Sequence, residues 1–331
     1  MSEQTTDQTI RQFQRAVYPA YALLGAIRLD LFTHLSGCSK TVTQLSDLLS
    51  LNHDKLQSLL YFLATTGLLN VSEGIFSNSE EAEKFLVKSS RDYIGNEYVA
   101  FADRWKRLER TDESVRTGKA AGKIDYSAMT QDELDTFYMG SHRQNQEAAR
   151  MLMDRFDFTS ATSLLDVAGG TGGLGIAIAK AHPAMHSTII EQNNVLPVTN
   201  RFIKDAEAIG KVEAIGCDIT LERPDGVYDV AVMKNFIPVI SREDAIEAIK
   251  NVGKVLSSGG RIFIVDMGTI DDSRLSPLPV VANNLFFLNV FDQGGSRTES
   301  ERRGWLEQAG FANIHREELT PSLGVMTAEK V

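Results

Sequence analysis

Residues 163–175 read Ser163-Leu-Leu-Asp166-Val-Ala168-Gly169-Gly170-Thr-Gly172-Gly-Leu-Gly175. The apolar run over 163–167 predicts a short strand, and the glycines predict a tight turn in which a ligand can approach the backbone at a helix N-terminus. A helix over 174–182 follows. The same alternation continues downstream. Strands are expected at 187–190, 212–215, 228–233 and 261–265, with a helix over 243–256 ended by Ser257-Ser-Gly-Gly260. Such nearly unbroken apolar strands fit a parallel sheet with helices on both faces. Residues 151–331 therefore read as a doubly wound α/β domain.

Upstream of residue 150 the pattern is helical. Phe13, Val17, Ala20, Leu24, Ile27, Leu31 and Leu35 recur at helical spacing. A helix carrying Leu45, Leu48 and Leu49 starts near Thr41, and Asn52 caps another with Leu56, Leu59, Leu60 and Leu63 on one face. Gly67 ends it, and Gly74 turns a hairpin between 68–71 and 75–76. Helix, turn, helix, hairpin is the outline of a winged helix. Its second helix carries Lys55 and Asp54 but no Arg, which argues against phosphate and base contacts and for a dimerisation role. Residues 78–150 read as charged, solvated helices, with a loop at 118–122 and a long helix over 132–156.

Composition narrows the function classes. The 331 residues are 43% hydrophobic and 24% charged, with a net charge of −10. That balance suits a soluble enzyme and opposes broad nucleic-acid binding. No apolar run approaches the roughly 18 residues of a membrane span, and the start MSEQTTDQT lacks a signal-peptide pattern, so a cytoplasmic location is expected. The two cysteines, Cys38 and Cys217, suggest neither a disulfide framework nor a zinc site, and no metal is expected.

Three acids mark the ligand site. Asp166 precedes the glycine turn, Glu191 closes the second strand 21 residues beyond Gly170, and Asp218 follows the third strand. Glu191 is placed to accept from ribose hydroxyls and Asp218 from an adenine amino group. Gly170, Gly172 and Gly175 also fit a dinucleotide fingerprint, so spacing alone leaves NAD and S-adenosylmethionine (SAM) in competition. Asp166 favours SAM, because a carboxylate there would receive its cationic amino end and would repel a pyrophosphate.

These residues resemble the class I SAM-dependent O-methyltransferases of plant caffeate and bacterial antibiotic pathways. The family's LLDVGGGTG motif is similar to Leu164-Leu-Asp-Val-Ala-Gly-Gly-Thr-Gly172, and its GGxERT…AGF ending to Gly294-Gly-Ser-Arg-Thr298 and Ala309-Gly-Phe311. The resemblance implies a Rossmann-like SAM-binding domain, an N-terminal dimerisation domain, a homodimer and a small-molecule substrate. It also implies cofactor contacts from Asp166, Ala168, Gly169, Gly170, Glu191, Asp218, Ile219 and Lys234.

The family's catalytic base is missing. Four residues after Lys234, where the family carries a catalytic His, this chain has Pro238; Ser296 stands for the Glu of the ERT triplet, and Asp266 for a Glu after the fifth strand. The acceptor is then an activated carbon, a hydroxyl already ionised, or a group served by a relocated base; a non-methylating use of the SAM fold is the alternative. His142 is the relocated candidate, in a segment (His142-Arg-Gln-Asn145) that resembles a bacteriochlorophyll-pathway C-methyltransferase. Asp266 is expected to orient substrate or to cap its loop. Arg297 is expected to anchor a carboxylate or, more simply, to pair with Glu299 or Glu301. Residues 282–288 should form a helix walling an apolar pocket.

Overall fold

The computed structural model describes residues 5–331, apart from the side chains at 103 and 127; the first four residues of the MSEQTTDQT start lie outside the described residues. The chain forms two compact units, Met1–Lys106 and Arg107–Val331.

The first unit begins with α1 (Gln8–Arg15), α2 (Val17–Arg28) and α3 (Leu31–His34). A short strand β1 (Lys40–Thr41) leads into α4 (Val42–Leu49) and α5 (His53–Thr65), followed by the hairpin β2 (Leu69–Ser72) and β3 (Ile75–Asn78). Local chemistry sets these boundaries. Thr41 and Gln44 form a capping box, the Asn52 side chain accepts from the Lys55 N–H, and Glu73 and Gly74 take left-handed φ in the hairpin turn. The sequence missed β1, which pairs antiparallel with β3 to make a three-stranded sheet. Leu31, Phe32, Leu45, Leu60, Leu63 and Phe76 form this unit's core. The unit continues through α6 (Glu80–Phe85) into α7 (Gly95–Leu108), which crosses its boundary.

The second unit starts with α8 (Thr111–Thr117) and the 25-residue α9 (Gln131–Arg155). Then come β4 (Ser163–Val167), α10 (Gly173–Ala181), β5 (His186–Glu191), α11 (Leu196–Asp205), β6 (Val212–Gly216), β7 (Tyr228–Lys234), α12 (Arg242–Val255) and β8 (Leu256–Asp266). After β8 lie β9 (Thr269–Ile270), α13 (Leu278–Val290), β10 (Arg297–Thr298), α14 (Glu299–Gln308), β11 (Phe311–Thr320) and β12 (Leu323–Lys330). Seven strands form one sheet in the order β11-β12-β8-β7-β4-β5-β6. Five are parallel as expected; β11 and β12 form an antiparallel hairpin on the β8 edge that the sequence did not reveal. One buried apolar cluster covers each face of this sheet.

Two boundaries differ from the sequence reading. Residues 257–260 extend β8 rather than forming a loop. The units divide after residue 106 rather than at 150, because the α8–α9 segment is stitched to α13: Ser114 Oγ donates to Asn289 Oδ1 at 2.8 Å, and the Gly122 and Ile124 N–H groups donate to Asn289 and Val290 carbonyls. Asn289 is fully buried, so breaking these bonds strands polar atoms in an apolar setting.

Candidate active site

The turn after β4 is left-handed three times, with φ of 52° at Ala168, 58° at Gly170 and 70° at Gly172. A Cβ on Gly170 would lie 2.9 Å from the Tyr138 ring, so glycine there answers both φ and a close approach. Neighbouring elements hold the turn from two sides. Thr199 Oγ1 on α11 donates to the Gly170 carbonyl at 2.6 Å. His142 Nδ1 on α9 sits 2.8 Å from Thr171 Oγ1, which accepts from the Gly173 N–H. The half-buried His142 ring lies 4.4 Å from Phe202, and burial lowers its pKa, favouring the neutral imidazole.

Two buried carboxylates lie against this turn. Asp166 accepts from the Gly175 N–H at 2.9 Å, in the first turn of α10. Burial pushes its pKa up to about 6, against the pull of that hydrogen bond and of Lys234. Glu191, at the end of β5, accepts from the Gly170 and Gln192 N–H groups at 3.2 and 2.6 Å. Burial still pushes it up to about 7, with Asp166 adding repulsion. Beyond β6, the exposed Asp218 carboxylate binds the Thr220 N–H and hydroxyl, while Ile219 is buried. Lys234 ends β7; burial pulls its pKa down to about 8, while Asp166 and Asp266 draw it up.

Next to β7 and β8, Pro238 occupies the 3-10 turn Ile237–Val239, and its carbonyl accepts from the Gly295 N–H at 2.8 Å. Asp266 is 2% exposed, and both its oxygens are engaged: one accepts from the Gly268 N–H and the other from Arg302 Nη1, each at 2.8 Å. Arg302 has no exposure. The Ser296 N–H donates to Asn284 Oδ1 of α13. Rings run from the turn toward α13: Tyr138 contacts Phe137, Phe137 contacts Tyr126, and Tyr126 stacks on Phe291.

The donor set fits SAM. Asp166 already fills the helix N-terminus where a pyrophosphate would be held, and a second anion there would meet its charge. Two buried carboxylates with raised pKa values instead suit a ligand bringing an ammonium group and hydroxyl donors. Comparison with known proteins agrees. A family model described as an O-methyltransferase domain matches residues 105–312. The chain belongs to that family.

This O-methyltransferase-family chain is a SAM-dependent methyltransferase. It is 26% identical to the tetracenomycin polyketide synthesis 8-O-methyl transferase TcmO of Streptomyces glaucescens, covering 92% of this chain and 91% of that one. It is 23% identical to the bacteriochlorophyllide d C-20 methyltransferase of Chlorobaculum tepidum, covering 87% of each. In fold it matches human N-acetylserotonin methyltransferase, solved in complex with SAM, at a TM-score of 0.78 and 17% identity over 99% of both chains.

The structure brings Asp166, Ala168, Gly169, Gly170, Glu191 and Lys234 to one end of the sheet, and adds His142 from α9. The structure bears on the two readings left open for Asp266 and overturns the ion pair expected of Arg297. Asp266 is not open to a substrate, because Gly268 and Arg302 take both oxygens; it caps its loop. Arg297 forms neither ion pair expected of it. It donates to the Gln293 and Ser296 carbonyls, while Glu299 pairs with Arg303 and Arg316, and Glu301 lies nearer Arg242 and Arg274. Sequence reasoning also missed Tyr138 over Gly170 and the buried Arg302. An Arg in the otherwise ordinary 302–306 stretch before Ala309-Gly-Phe311 was the available signal for the second. Among the described residues no group of His, Cys, Asp or Glu could hold a metal, and no helix is long and apolar enough to cross a membrane.

Proposed function

We propose that the chain methylates a small, apolar or aromatic metabolite of secondary metabolism, at carbon or at an oxygen that needs no histidine base. The observation that carries this reading is the Pro238, Ser296 and Asp266 set: Pro238 has no proton-accepting group, Ser296 brings only a hydroxyl, and both Asp266 oxygens are taken by Gly268 and Arg302. The ring series Tyr138, Phe137, Tyr126 and Phe291 supports an aromatic acceptor lying between the glycine turn and α13.

When bound, SAM supplies a sulfonium methyl that accepts an electron pair from the acceptor while sulfur takes the pair of the broken bond. The chain's residues prepare this in-line geometry. Glu191 is assigned to the ribose hydroxyls, Asp166 to the amino end, Ala168, Gly169 and Gly170 to the close backbone approach, and Asp218 with Ile219 to the adenine. Lys234 pulls the Asp166 pKa down against burial and so favours its ionised form. His142 is assigned as a positioning residue through Thr171, in place of the base role its sequence context suggested. Arg297 is assigned to hold its own loop through the Gln293 and Ser296 carbonyls.

A homodimer is part of the reading. Helix α1 buries no residue, and Ile10, Phe13, Val17, Tyr18 and Tyr21 expose 49–72% of their surface on α1 and α2, an apolar patch suited to a second copy. The second helix of the winged-helix outline presents Gln, Ser and Tyr rather than Arg, which supports the absence of nucleic-acid binding.

The direct test incubates the chain with methyl-labelled SAM and a panel of phenols and enolisable aromatics. Release of S-adenosylhomocysteine (SAH) with a product one methyl heavier is expected. SAH binding without turnover across the panel would favour a non-methylating role instead.

A further inference from the structure

Three loops meet beyond the carboxyl ends of β7 and β8: the 3-10 turn bearing Pro238, the segment through Gly268, and the approach to β10 through Gly294, Gly295 and Ser296. The Gly295 N–H donates to the Pro238 carbonyl, and the Arg297 N–H to the Gly268 carbonyl, each at 2.8 Å. A Cβ built on Gly268 would strike the Pro238 ring and lie 3.0 Å from Arg302 Nη2, so ring and guanidinium flank the same glycine.

Arg302 is half satisfied. Its Nη1 binds Asp266, but Nε and Nη2 have no hydrogen-bond partner among the described residues, although the residue is fully buried. Those two nitrogens form one edge of the guanidinium, a planar fork shaped for an oxyanion. Ser296 Oγ, one residue before the Arg297 N–H that binds the Gly268 carbonyl, is likewise buried and without a partner among the described residues. So is Trp305 Nε1, one turn along α14. Every one of these groups is able to donate. Buried donors are rarely left unmet, and together they ask for an acceptor rather than another cation.

We infer that Arg302 and Ser296 form an oxyanion site that takes the ionised oxygen of the methyl acceptor, such as a phenolate or enolate oxygen. The inference rests on the proposed methyltransfer reading and names its substrate class. A methyl acceptor bound this way arrives with the electron pair for the new bond already in place. It leaves no proton to be removed, and Pro238 in place of a base then costs nothing. Asp266 serves the site by fixing Arg302 through the hydrogen bond it accepts from Nη1.

The test uses 4-nitrophenol, whose visible band reports its ionisation directly, titrated against the full chain with and without SAH across pH. SAH binding is measured separately by calorimetry. The bound phenol is expected to ionise at least one pH unit below the free phenol, so that phenolate binds at least tenfold tighter than phenol. Ser296→Ala should weaken phenolate binding several-fold and leave phenol binding unchanged. Because Arg302→Met alone strands Asp266 and threatens folding, it is made together with Asp266→Asn; that pair should abolish the preference for phenolate. The inference is overturned if the chain takes up no 4-nitrophenol, if the bound phenol ionises at its solution midpoint, or if the double variant keeps the preference. Failure of SAH to bind, with the phenolate shift intact, would refute the methyltransfer reading alone.

Discussion

Glu191 makes cofactor affinity depend on pH in a calculable way. In the unliganded fold its carboxyl is pushed up to about 7 by burial, and two backbone N–H bonds do not offset that cost. Relative to the ordinary value of 4.5, holding it ionised costs on the order of 3 kcal/mol. A ribose diol donating to the carboxylate favours the ionised form, so binding releases a proton and tightens as pH rises. With a pKa about 7, roughly one-tenth of Glu191 is ionised at pH 6 and nine-tenths at pH 8, so the SAH dissociation constant should be about tenfold weaker at pH 6. Asp166, at about 6, steepens the slope below that, and Lys234, at about 8, bounds the window at its alkaline end. The folding sign follows the same logic. Two carboxyls raised in the folded state favour the protonated form, so their contribution is present below their ordinary values and is lost as pH rises through 6 and 7. Calorimetry of SAH binding from pH 6 to 8, repeated in buffers of different ionisation enthalpy at pH 6.5, measures both slope and proton release. A flat affinity, or an unchanged slope in Glu191→Gln, would refute the reasoning.

Four further outcomes are expected. Gly170→Ala should weaken SAH binding at least tenfold, because the added methyl meets Tyr138 at 2.9 Å and the left-handed backbone costs roughly 1–2 kcal/mol more; a calorimetric constant equal to wild type would contradict it. His142→Ala should loosen SAH about three- to tenfold through the lost Thr171 contact, worth roughly 0.5–1.5 kcal/mol, whereas a fall in turnover at constant affinity would restore the base role. Pro238→His should neither abolish nor rescue turnover but should lower thermal stability by roughly 1–3 kcal/mol, since the ring position is packed against Gly268; a gain in rate together with full stability would argue otherwise. Phe13→Asp should shift the chain toward monomer in sedimentation without changing its fold, because that side chain is 70% exposed on a helix that buries nothing.

Much of the site was legible because its pieces are local. A strand, a glycine turn and a helix lie within 163–181, and their period and caps announce them without any distant contact. Asp166, Glu191 and Asp218 were readable as neighbours because parallel strands in successive crossovers place their carboxyl ends together, as the order β4-β5-β6 does. The antiparallel β11–β12 hairpin was harder. Its residues 312–317 alternate between half-buried and exposed positions at a sheet edge, so they lack the apolar run that marks the inner strands.

Sequence alone determined the α/β class, the succession of strands β4 to β8, the anion-repelling acid before the glycine turn and the loss of a histidine base at Pro238, since each depends on residue identity at short spacing. Only the folded chain decided which partners those residues meet. Tyr138 comes to rest on Gly170 from more than 30 residues away, His142 locks Thr171, and Arg302 reaches back 36 residues to claim Asp266 and leave its fork unpaired. No local period encodes such contacts, because burial and charge compensation are settled by everything that packs around them.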